Sequence, residues 1–119
     1  MGFRKLIAYK KGVESAMEIF EVSKKFPKEE IYSLTDQIRR SSRSVCANIA
    51  EAYRKRLYPK HFISKLSDSN AENSETLVWI EFAVSCNYIT EKTKKELEKK
   101  NIEIGKLISF MINNPNKFR

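Results

Sequence analysis

The chain has 119 residues, enough for one domain around a single core and too few for two, and only three Gly and three Pro interrupt it. With 41% apolar and 32% charged residues it favours long helices over a many-stranded sheet, and its longest wholly apolar helical run, Leu77-Val78-Trp79-Ile80, is far below the roughly 20 residues that cross a bilayer. Residues 1–60 hold 14 Lys/Arg and 7 Asp/Glu while residues 61–119 hold 9 and 8, so the net charge of +8 belongs to the first half and suits either a polyanionic partner or plain solubility.

The opening Met-Gly-Phe-Arg-Lys-Leu has neither the apolar run nor the small-residue cleavage site of a signal peptide, and Leu6 stands where a myristoylation signal needs Ser or Thr. A cytoplasmic protein without membrane contact is expected. Leu6, Tyr9, Val13, Ala16, Met17 and Phe20 recur at three and four and predict a first helix over residues 4–25. Phe26-Pro27 stops it. Pro27, followed by Glu29 and Glu30, suits the first turn of a second helix, predicted over residues 27–56 with Ile31, Leu34, Ile38, Val45, Ile49 and Ala52 as its core stripe. Ser41 or Ser42 fills the turn between Ile38 and Val45. Tyr58-Pro59 opens a third helix over residues 59–87, with Phe62, Leu66, Asn73, Leu77, Ile80 and Val84 on one face. Thr90 is a fitting N-cap for a fourth, over residues 90–113, which carries Leu97, Ile104, Leu107, Ile108 and Met111 before Asn113-Asn114-Pro115. These elements predict an all-α fold, an antiparallel up-down four-helix bundle over residues 1–119 as one domain, with a frayed tail from Pro115.

Catalytic motifs are absent: there is no phosphate loop, no H-E-x-x-H, no G-x-S-x-G and no C-x-x-C. His61 is the only histidine and has no acidic or Cys neighbour at ligand spacing. Cys46 and Cys86 stand singly and read as small buried hydrophobes, so no disulfide, metal, cofactor or catalytic residue is expected.

Binding is the better-supported expectation. Five of the seven arginines fall between Arg39 and Arg56, where Glu51 is the one opposing charge. At about 100° per residue, Arg39, Arg40, Arg43 and Arg54 lie on an arc centred roughly 160° from the core stripe. With Lys55 and Arg56 they form a candidate phosphate-binding surface, against the plainer reading of a solvated face. Beside them runs a polar band of Gln37, Ser41, Ser44, Asn48 and Glu51, either solvated or hydrogen-bonding across a helix or subunit contact. On the third helix Trp79, Phe82 and Cys86, flanked by Val78, recur opposite the core stripe. A helix apolar on two faces needs two partners, so Gln37, Ser44, Asn48, Trp79, Phe82 and Cys86 are the candidate subunit interface, with a wider internal core as the alternative.

The blocks Phe26-Pro27-Lys28-Glu29-Glu30, Leu34-Thr35-Asp36-Gln37-Ile38-Arg39-Arg40-Ser41 and Ser44-Val45-Cys46-Ala47-Asn48-Ile49-Ala50-Glu51 resemble the bacterial four-helix-bundle proteins encoded in intervening sequences of 23S ribosomal RNA genes. The resemblance runs to Ile104-Gly105-Lys106-Leu107-Ile108 and implies a homopentameric ring of up-down bundles. That family is in turn similar to the accessory variability determinant of diversity-generating retroelements, a basic pentameric barrel that contacts a reverse transcriptase and its RNA. Two positions depart from the family pattern: Ala52 replaces a Gly, and Glu72-Asn73-Ser74-Glu75 replaces a Gly-Ser-x-x-Glu block. Together these readings predict a non-enzymatic homo-oligomer, a pentamer, that binds RNA or DNA backbone through its arginine face. The rival is a scaffold that recruits a protein partner, such as a reverse transcriptase, through Asp68, Glu72, Glu75 and Trp79.

Overall fold

The computed structural model describes residues 2–119. Four helices follow one another: α1 Ile7–Ser23, α2 Leu34–Arg54, α3 Pro59–Ser85 and α4 Glu91–Asn113. Short 3-10 helices stand at Gly2–Lys5, Lys28–Glu30 and Pro115–Phe118, and the described residues contain no strand. Each helix packs on its chain neighbour and α1 closes on α4, giving an up-down bundle 44 Å long and 25 by 22 Å across.

α1 buries Ala8, Gly12, Ser15, Ala16 and Ile19. This face is rotated from the expected one: Val13 is exposed and Met17 is 53% exposed. Small side chains decide the register, because they let α2 approach closely; a Cβ on Gly12 would lie 3.0 Å from Cys46 Sγ. The second helix begins seven residues later than expected, at Leu34. Pro27 instead precedes a 3-10 turn, and Ile31, assigned to the core by its spacing, is 52% exposed. The start of α2 is set by Glu30, whose carboxylate accepts from Ser33 Oγ (2.6 Å) and from the Leu34 backbone N–H (3.2 Å). An acceptor at this end satisfies a free N–H and meets the positive end of the helix dipole.

Beyond that start α2 follows its expected stripe, burying Leu34, Ile38, Val45, Ile49 and Ala52. α3 opens on Pro59 and is closed beyond Ser85 by Asn87, whose φ of 62° lets Tyr88 N–H bond to Ala83 O (2.9 Å) and Asn87 N–H to Val84 O (3.0 Å). Both bonds satisfy carbonyls that the helix end leaves free. Thr90 then caps α4, its Oγ1 accepting from Thr93 N–H (3.1 Å).

The core divides along the bundle. One apolar cluster holds Ala8, Val45, Ile49, Phe62, Leu66, Ile104 and Ile108, and the other holds Ile19, Phe26, Leu34, Ile38, Ile80 and Leu97. Between them lies a polar layer to which every helix contributes. Ser15 Oγ donates to Asn101 Oδ1 (2.6 Å), Asn101 Nδ2 donates to Asn73 Oδ1 (3.1 Å), and Asn73 Nδ2 donates to Asn101 O (2.7 Å). Ser41 and Thr76 hydroxyls meet at 2.8 Å, and Ser69 Oγ donates to Val45 O (2.8 Å). Among the described residues no buried side-chain nitrogen or oxygen lacks a partner. A fully satisfied layer of this kind selects one register, since sliding any helix by a turn strands its polar groups among apolar ones.

Candidate nucleic-acid interface

The predicted basic set lies on α2 and the turn that follows it, and divides into two groups. Arg40 and Arg43 are exposed, and with Arg39 they line a shallow groove of about 380 Å³ whose only carboxylate is Asp36. Arg39 does not face away from the core as expected. At about 100° from Ile38 it turns toward α1, where it is half-buried, its Nε donating to Ser23 Oγ (2.8 Å). Phe20 organises this group: the guanidinium carbons of Arg39 and Arg43 lie 4.7 and 5.5 Å from its ring centroid and Lys24 Nζ lies 4.9 Å away. An aromatic face draws the cations together at an angle their mutual repulsion would otherwise disfavour.

Arg54, Lys55 and Arg56 stand about 16 Å further along the axis, at the C-terminal end of α2. Arg54 and Lys55 are exposed. Arg56 lies over the Tyr53 ring at 4.2 Å and donates Nη1 to Tyr53 O (3.0 Å), placing its charge at the negative end of the helix.

This second group belongs to a larger feature that the sequence did not reveal. The up-down topology gathers residues 2–13, 52–67 and 104–119 at one end of the bundle, and those segments carry twelve of the 23 Lys/Arg and none of the 15 Asp/Glu, although Lys11 and Lys65 at their inner edge pair with Glu103 (2.9 Å) and Glu51 (2.8 Å). The charge asymmetry is therefore between the ends of the molecule more than between the halves of the chain. At that end a groove of about 500 Å³ is walled by Leu6, Ile7, Tyr53, Phe110, Met111 and Phe118, and rimmed by Lys5, Lys117 and Arg119. Only the run of residues without an acid could have signalled it, and that signal acquires meaning once the three segments are known to meet.

Of the predicted interface residues, Gln37, Trp79, Phe82 and Cys86 line one groove of about 340 Å³ with Glu30, Tyr32 and Leu34. Trp79 Nε1 donates to Glu75 Oε1 (3.3 Å), and its ring sits 6.1 Å from that of Phe82. Tyr32 projects beside them, 93% exposed. Cys86 is exposed, against the expectation of a buried residue, whereas Cys46 is buried and burial pushes its thiol up to about 11. Ser44 and Asn48 lie outside this groove. Asn48 Nδ2 donates to Ser44 O (2.9 Å) and its Oδ1 accepts from Lys65 (3.4 Å), which also pairs with Glu51 (2.8 Å), so this part of the polar band joins α2 to α3 within the bundle. His61 is exposed, edge-on to Tyr58. Burial and the Glu75 carboxylate push Glu72 up, against the opposing pull of Arg40. Among the described residues no three His, Cys, Asp or Glu side chains gather as metal ligands, and no helix is long and apolar enough to cross a membrane.

An all-α four-helix bundle is thus the class the fold defines. Residues 4–110 match the family described as 23S rRNA-intervening sequence protein, and the chain belongs to that family. It is also similar to a solved structure from Bacteroides thetaiotaomicron VPI-5482, described as a protein with unknown function from the S23 ribosomal protein family. The two share 30% identity and a TM-score of 0.82, over 90% of this chain and 96% of that one. No curated protein matches.

Proposed function

We propose that the chain is a non-enzymatic, homo-oligomeric protein that binds nucleic acid, RNA first, along the outer face of α2, and that it needs no cofactor. The carrying observation is the concentration of Arg39, Arg40 and Arg43 on one groove with Asp36 as its sole carboxylate. Forked donors on a rigid helix suit phosphate oxygens, and phosphate contacts carry affinity without sequence preference. Membership of a family named for intervening sequences of 23S rRNA makes RNA the first polyanion to test. The groove of Trp79 and Phe82 with exposed Tyr32 supports self-association, with five copies as the ring size that the sequence resemblance implies.

The test uses Arg40→Gln/Arg43→Gln/Arg54→Gln and spares Arg39, which holds Ser23. Helical content should be unchanged while RNA and DNA of unrelated sequence bind about tenfold or more weakly, with a shallower salt dependence. Unaltered binding in a folded variant rejects the α2 face. Light scattering that gives a monomer mass rejects the oligomer, and Phe82→Glu should lower the mass of an oligomer that uses this groove. The same groove also supports recruitment of a different protein as a second reading. Such apolar binding should change little with salt, whereas phosphate binding falls steeply.

A further inference from the structure

We infer that the groove at the basic end of the bundle is a single-strand site, holding one unstacked nucleotide base against its aromatic walls while Lys5, Lys117 and Arg119 take the adjoining phosphates. The inference rests on the nucleic-acid reading above and adds a second site, distinct from the α2 face. Its volume, about 500 Å³, falls in the range of small-molecule pockets, and no carboxylate side chain lines it. Phe110 is 47% exposed at the wall, Phe118 meets it edge-on at 6.3 Å, and Lys117 Nζ stands 5.1 Å from its centroid. Lys117 lies over the Phe110 ring, so a base stacking there takes the place of an ammonium that stays beside it for the adjoining phosphate, the pairing of charge and aromatic face by which single strands are held without sequence preference.

A base inside a duplex is already stacked on both faces and cannot enter, so the site discriminates by strandedness. A fatty carboxylate would also suit the apolar walls but needs a single cation. Beyond the rim, Arg54, Lys55 and Lys60 continue the charge without an intervening acid, which fits a chain of phosphates and leaves a lone head group underusing the surface.

The experiment measures fluorescence anisotropy of the full chain with a labelled unstructured RNA 10-mer and with a blunt RNA duplex. Lys5→Gln/Phe110→Ala/Lys117→Gln should weaken the single strand about tenfold and the duplex less than about twofold. Arg40→Gln/Arg43→Gln, which spares Arg54 beside the rim, should weaken both. If Phe110→Ala impairs folding, Lys5→Gln/Lys117→Gln with Phe110 intact should still reduce single-strand binding selectively. Equal weakening of strand and duplex by the groove variant overturns the site, as does unchanged single-strand binding. So does loss of binding to phosphatidylserine vesicles in a groove variant that keeps its RNA affinity, which would assign the groove to lipid. A wild-type chain that binds neither RNA removes the nucleic-acid reading itself, whereas single-strand binding that depends only on the α2 arginines removes the groove alone.

Discussion

Gly12 shows how a residue without a side chain can fix a helix pair. In mid-helix, Gly is about 1 kcal/mol less favourable than Ala, yet an added Cβ here would lie 3.0 Å from Cys46 Sγ. Gly12→Ala should therefore gain little by itself and gain about 1 kcal/mol when Cys46→Ala removes the obstacle. Thermal unfolding of the four proteins checks this, and an equal shift in both backgrounds would dismiss the crowding. Tyr88 makes a prediction in pH. Its hydroxyl donates to Glu30 Oε2 at 2.8 Å, a bond that with burial pushes the phenol up to about 12. Unfolded, a tyrosine titrates near about 10, so the contribution is complete below that pH and is lost as pH rises through about 12. The stability gap between the wild type and Tyr88→Phe should narrow from pH 9 to about pH 11, and a constant gap would contradict it. Glu30 runs the other way. Held low by Ser33, then Tyr88 and the Leu34 N–H, it contributes above the usual carboxylate range and loses that contribution as pH falls through its lowered value.

At the scale of elements, the polar layer makes the sharpest prediction. Asn101→Leu would leave Ser15 Oγ and Asn73 Oδ1 buried without their partner, while Asn73 Nδ2 keeps its bond to the backbone carbonyl of residue 101, a loss of roughly 2–4 kcal/mol. Asn73→Leu/Asn101→Leu should recover part of it, because two partners leave together. Urea denaturation of the single and double variants decides, and a single-variant cost below about 1 kcal/mol would show that the layer does not hold the register. The same layer marks where the sequence was legible. The number, type and order of the helices were readable because Pro59, Thr90 and Pro115 punctuate the chain and α2 and α4 repeat large apolar residues at three and four. The face of α1 was not, because Gly12, Ser15 and Ala16 carry its burial while the larger Val13 and Met17 point outward. The start of α2 was misplaced for a different reason. Pro27, Glu29 and Glu30 have the composition of a first turn, but Glu30 reaches across from the preceding 3-10 helix to cap from outside.

For the whole molecule, the candidate site was legible only where it is local. Arg39 to Arg43 form a run that any reading along the chain meets, though not that Arg39 is anchored through its Nε to Ser23. The basic end is assembled from three segments separated by tens of residues and becomes visible only when the bundle is closed. The molecule is thus a 44 Å rod with twelve cations at one end and, over its remaining length, eleven against fifteen acidic groups. In a ring whose subunits stand along its axis, every rod points the same way and all the basic ends share one rim. Their mutual repulsion opposes closure most at low ionic strength and is relieved by any polyanion laid across the rim. Closure and polyanion binding are then linked, and each must strengthen the other by the same factor. Such an assembly would behave as a charge-gated washer, open and dissociating in dilute buffer and locked shut by the strand it encircles or carries.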